Sequence, residues 1–178
     1  MELIEIKERL RLGLADLAKE DYRLFHVDSN ERSIAHKLAE RLVPHFSPWD
    51  VDCEYNRIGK EKRHKLVHVS KKAFMHAKEK GIIPNHIIPL EELEERKDAV
   101  PIFPDIIVHR RTEIFENLLI IEIKKLSNAE VFSGWDQWKI RFFIDNLKYS
   151  AGCFIVLNTG IETQNLEELI HSQEWFSL

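Results

Sequence analysis

The chain has no apolar run approaching the roughly 20 residues that a membrane-spanning helix needs, which excludes that architecture as a reading of its composition. It holds only two cysteines, Cys53 and Cys153, far apart and set in apolar stretches. That spacing reads as buried free thiols in a reducing compartment rather than as a disulfide framework. No CxxC accompanies His64 and His68, so the four-residue spacing of that pair does not make a zinc site. A Gly-rich phosphate loop, a Gly-x-Ser-x-Gly elbow and a supported Cys-His nucleophile pair are all missing. A net basic charge is missing too: the balance is −4, which argues against a purely electrostatic DNA binder. The start, Met1-Glu2-Leu3-Ile4-Glu5, lacks the basic, apolar pattern of a signal peptide, and a cytoplasmic location is expected.

The residues that are present describe one soluble domain. The 178 residues suffice to bury a full core, and 44% apolar with 31% charged residues is globular composition. Charge is unevenly spread. Seven basic residues (Arg57, Lys60, Lys62, Arg63, Lys65, Lys71 and Lys72) stand against the single acid Glu61 between positions 57 and 72. After Ala151 there are four acids and no Lys or Arg. One face for a polyanion and another turned away from it would account for this.

Periodicity predicts an N-terminal helix over about 1–27, then a second helix capped by Ser29 or Asn30 with Ile34, Leu38 and Leu42 at four-residue spacing. Trp49 to Tyr55 alternates as a half-exposed strand does. An insert of about 59–100 comes next, with a short helix from the Ser70 cap to Gly81, an extended connection through Pro84 and Pro89, and a helical turn or two at Glu91 to Arg96. Two apolar runs, 103–108 and 118–124, are separated by a polar turn, as in an antiparallel hairpin. A helix over about 135–147 and the strand 152–157 then imply a crossover to a parallel neighbour, and Thr163 to His171 reads as a last helix. The prediction is an α/β domain, a mixed β-sheet flanked by helices.

Within the two runs stands Phe103-Pro104-Asp105, then Glu122-Ile123-Lys124 seventeen residues after the Asp. Alternation puts Glu122 and Lys124 on one face of their strand. If the runs are neighbours, Asp105 comes close to Glu122, and two carboxylates and an ammonium converge. Mg²⁺ takes hard oxygen ligands, usually one or two carboxylates with water and substrate phosphate, so this is equipment for phosphodiester hydrolysis. An unpaired charge inside the run 118–123 would be costly, which favours a functional role over a surface ion pair.

This order of elements, with Pro104-Asp105 and Glu122-Ile123-Lys124, resembles the PD-(D/E)XK nuclease superfamily. The resemblance runs from about Asn30 to Leu157 and leaves the N-terminal helix and the insert outside it. It implies a restriction-endonuclease-like fold and an Mg²⁺- or Mn²⁺-dependent nuclease, with DNA favoured over RNA. It also implies Asp105, Glu122 and the Ile123 carbonyl as metal ligands, and Lys124 as the group that orients water or stabilises the transition state. Glu31 matches the acid of the preceding helix and would hold water or a second ion, with Glu40 behind it. The next helix offers Asp136, Gln137 and Lys139, although Arg141 stands where one subgroup has Tyr in Gln-x-x-x-Tyr. Arg110 and Arg111, with Arg57, Lys60 and Lys139, are the candidate phosphate contacts. His109 could face the substrate, while Trp135 and Trp138 read as core or interface. Double-strand cleavage would call for a homodimer. The competing readings are a catalytically inactive nucleic-acid-binding module and a regulatory partner subunit in which the same charges form a satisfied network.

Overall fold

A computed structural model describes residues 1–55, 68–83, 100–111 and 116–177. Its centre is a five-stranded sheet built from β1 (Asp50–Cys53), β4 (Ile106–His109), β5 (Asn117–Lys125), β6 (Ala151–Leu157) and β7 (Ile170–Ser177), in that spatial order. β5 and β6 run parallel and every other neighbouring pair is antiparallel. β2 (His68–Val69) and β3 (Val100–Pro101) form a separate two-stranded ladder. The chain is therefore a mixed α/β protein, and among the described residues no helix is long and apolar enough to cross a membrane.

Helices cover both faces. On one face lie α1 (Leu3–Glu20) and α3 (Glu31–Phe46), which are joined through the single turn α2 (Arg23–His26). Leu10, Leu14 and Leu17 of α1 meet Ile34, Leu38 and Leu42 of α3, and both pack on Ile106, Val108, Leu119, Ile121, Ile123 and Ile155. Leu42 lies so near Gly13 that a Cβ there would sit 2.4 Å from its Cδ2, so the close crossing of the two helices depends on a missing side chain. The predicted cap holds: Asn30 accepts from the Ser33 backbone N–H at 2.8 Å. Ile4 is 80% exposed, because it lies off the buried stripe that runs from Ile6 to Ala18.

On the opposite face α5 (Leu126–Leu147) lies over Ile107, Ile120, Phe154 and Val156, with α4 (Lys71–Glu79) beside its Trp135. Trp135 is buried and stacks on the half-buried Trp138, which stacks on Phe142, so these rings are core as expected. α4 starts at the predicted Ser70 cap and its chain turns at Gly81, whose φ is +69°. Both cysteines are free, Cys153 buried and Cys53 half-buried.

Two elements depart from the sequence reading. The helix after β5 begins at Leu126, nine residues early, with no side-chain cap to announce it. The last helix is a single turn, α6 (Leu166–Leu169), and the chain continues as β7 along β6. β6 needs partners for its backbone on that side, and its demand outweighs local helix propensity. Most of β7 is exposed and polar, as an edge strand tolerates. The predicted extended connection at 84–89 and helical turns at 91–96 lie outside the described residues.

Candidate active site

The hairpin fixes the geometry. Ile106 pairs with Ile121, so continuing the register by one residue sets Asp105 opposite Glu122. Ile107 and Ile120 face α5, and alternation carries Asp105, Glu122 and Lys124 to that same side of the sheet. The Asp105 carboxylate turns back to accept the Ile123 backbone N–H at 2.8 Å. That bond ties the Pro-Asp end of one strand to the Glu-x-Lys segment of the next.

Charges then interlock from three elements. Lys139 Nζ, on α5, lies 2.6 Å from Glu122 Oε2 and 2.9 Å from Asp136 Oδ1, which is one helical turn before it. Lys124 Nζ lies 3.0 Å from Asp136 Oδ2 and 3.2 Å from Glu31 Oε2. Glu31, in the first turn of α3, also accepts from the Lys125 backbone N–H at 3.1 Å and from Asn128 Nδ2 at 3.0 Å. Glu122, Asp136 and Lys139 are 1%, 2% and 7% exposed, so this network is a buried one.

Four carboxylates share two ammoniums here, leaving two negative charges uncompensated when all are ionised. Burial, then the charges of Asp105 and Asp136, push the Glu122 carboxyl well above its ordinary range despite Lys139. Burial likewise raises Asp105. Burial would raise Glu31 too, but the bonds from Asn128 and Lys125 and the charge of Lys124 outweigh it and hold that group down. The carboxylates of Asp136 and Glu31 overcome the burial of Lys124 and keep it firmly protonated.

These shifts set the pH response. A carboxyl raised in the folded state binds its proton more tightly there than when unfolded, so stability falls as pH rises above the ordinary Glu value of 4.5. Glu122→Gln is expected to flatten that decline, measured as urea midpoints of metal-free protein across neutral pH. An undiminished decline in the variant would assign it to another group.

The other sequence candidates are placed elsewhere. Arg110 and Arg111 sit at the far end of β4 from Asp105, engaged within the chain. Arg110 donates to the Pro48 carbonyl at 2.6 Å, and Arg111 pairs with Asp52 and Asp50. His109 is buried beside the same Asp52, 2.9 Å away, rather than at the carboxylate pair. Burial alone would raise Asp52, but these two partners hold it down to about 2. Lys139 is no surface cation: its ammonium is enclosed by Glu122 and Asp136, because α5 lays this face on the sheet. Gln137 points away to Glu174 on β7, and Glu40 is an exposed partner of Lys37. Arg57 and Lys60 lie outside the described residues. Asn128 went unseen in the sequence, since nothing in 126–134 signals the first turns of α5.

The residues fit a hard divalent cation. Their donors are carboxylate oxygens, the cluster carries surplus negative charge, and Glu122 Oε1 is buried with no hydrogen-bond partner among the described residues. No group of three or more His, Cys, Asp or Glu side chains among the described residues is gathered to hold a metal by itself. Asp105 and Glu122 would therefore need the Ile123 carbonyl, with water or substrate, to complete a shell. No family model, curated protein or solved structure matches this chain.

Proposed function

We propose that the chain is a metal-dependent nuclease with a restriction-endonuclease-like core, and that it hydrolyses phosphodiester bonds, with DNA favoured over RNA. The observation that carries this reading is the buried Glu122 Oε1 opposite Asp105, without a hydrogen-bond partner among the described residues, in a cluster with negative charge in excess. A buried carboxylate oxygen left without a donor is costly unless a proton or a cation completes it, and a divalent ion would take the place of that proton.

Asp105, Glu122 and the Ile123 carbonyl would hold Mg²⁺ or Mn²⁺. The ion would supply electrostatic stabilisation of charge on the scissile phosphate and a lowered pKa for attacking water. Lys124, kept protonated by Asp136 and Glu31, would donate a hydrogen bond to the water or to a phosphate oxygen. Glu31 orients Lys124 and, through the Lys125 N–H, the end of β5. The basic segment around Arg57 and Lys60 remains the candidate phosphate contact, and two copies would be needed to cut both strands.

A second reading has support of its own. Lys139 already satisfies Glu122 Oε2 and Asp136 Oδ1, as it would in an inactive binding or regulatory module. The two are separated by incubating supercoiled, linear and single-stranded DNA, and RNA, with Mg²⁺ or Mn²⁺. The nuclease reading expects metal-dependent backbone cleavage that disappears in Glu122→Gln. Absence of cleavage by folded protein on every substrate, or cleavage unchanged in the variant, would contradict it.

A further inference from the structure

We propose that Lys139 is a resident counter-cation, which holds the site closed without metal and competes with the divalent ion for Glu122. This rests on the reading that Asp105 and Glu122 take such an ion. The ammonium of Lys139 lies 2.6 Å from Glu122 Oε2, a position from which it neutralises the same carboxylate that the ion would need. Glu122 is 1% exposed, and its other oxygen, Oε1, has no hydrogen-bond partner among the described residues, so one side of the carboxylate is left for a second cation.

Asp136 makes the exchange feasible. It is on α5 with Lys139, three residues earlier, and its Oδ1 is 2.9 Å from the same ammonium. When a divalent ion draws Glu122 away, Lys139 keeps a carboxylate partner and is not stranded as a buried charge. Asp136 Oδ2 meanwhile lies 3.0 Å from Lys124, so this one residue holds both lysines of the site. Occupancy by metal would thus loosen the link between β5 and α5 made by Lys139 and leave the Asp136 link in place.

The two residues should then affect metal affinity in opposite directions. Mn²⁺ titration calorimetry on the full chain is expected to give binding ~10–100-fold tighter in Lys139→Met than in wild type, the scale on which neighbours of metal ligands act. Asp136→Asn removes the carboxylate onto which Lys139 retreats, and is expected to weaken Mn²⁺ binding ~10-fold or more. A purely structural role would weaken binding in both. Should Lys139→Met fold poorly without metal, its melting temperature across a Mn²⁺ series supplies the same answer, with a larger rise expected than in wild type. Affinity and melting rise in Lys139→Met no greater than in wild type would overturn the proposal, and the nuclease reading would survive if wild type still binds and cleaves. Failure of all three proteins to bind Mn²⁺ would overturn both.

Discussion

Lys124→Ala is expected to slow metal-dependent phosphodiester cleavage by ~10²–10⁴-fold while leaving divalent-cation binding intact, as loss of one transition-state donor or proton-transfer partner does. The side chain is mostly buried, and its ammonium is pinned between Asp136 at 3.0 Å and Glu31 at 3.2 Å. Such a charge is oriented before substrate arrives, so little reorganisation is required in the transition state. Lys124 is on the same strand face as Glu122, two residues away, which would bring the donor beside the proposed ion without making it a ligand. Single-turnover rates at saturating Mn²⁺ measure the effect directly. A loss of less than tenfold, with unchanged metal affinity, would make Lys124 a strut between α3 and α5 rather than a participant.

Lys139→Met should lower the stability of metal-free protein by ~3–5 kcal/mol, the cost of leaving a buried ion pair without one partner. The ammonium is enclosed by Glu122 and Asp136, and Asp105 also feels its charge. Removing it leaves all four carboxylates to share Lys124. Two independent rescues are expected. Added Mn²⁺ should restore most of the loss by mass action. Glu122→Gln in the same chain should restore part of it, because the buried charge that Lys139 neutralised is gone. Chemical denaturation of the single and double variants checks this, and strict additivity would show that the two side chains do not interact.

The hairpin of β4 and β5, the crossover to a parallel β6, and the Asn30 and Ser70 caps were legible because each rests on local chemistry. So was the convergence of Asp105 with Glu122, since a hairpin's register is set by its apolar pattern. The strand β7 was not, because Leu166–Leu169 does form a helical turn and only the open side of β6 makes the next residues extend as a strand. Lys139 does face the site, as its helix suggested, but it is not the surface phosphate contact expected, for a general reason. A lysine signals a solvated surface, and its burial depends on which face α5 lays on the sheet, which in turn depends on where that helix begins. Arg110 and Arg111 looked free for phosphate until β1 paired beside them and brought Asp50 and Asp52 within reach.

The proposed divalent-cation site of Asp105 and Glu122 is open to anomalous diffraction from crystals grown with Mn²⁺. A peak is expected at the two carboxylates and near the Ile123 carbonyl, at the ~2.0–2.2 Å separations usual for small hard cations with oxygen ligands. Lys139 should then be drawn onto Asp136. A fully occupied Mn²⁺ elsewhere, or none at saturating concentration with Lys139 still on Glu122, would contradict it.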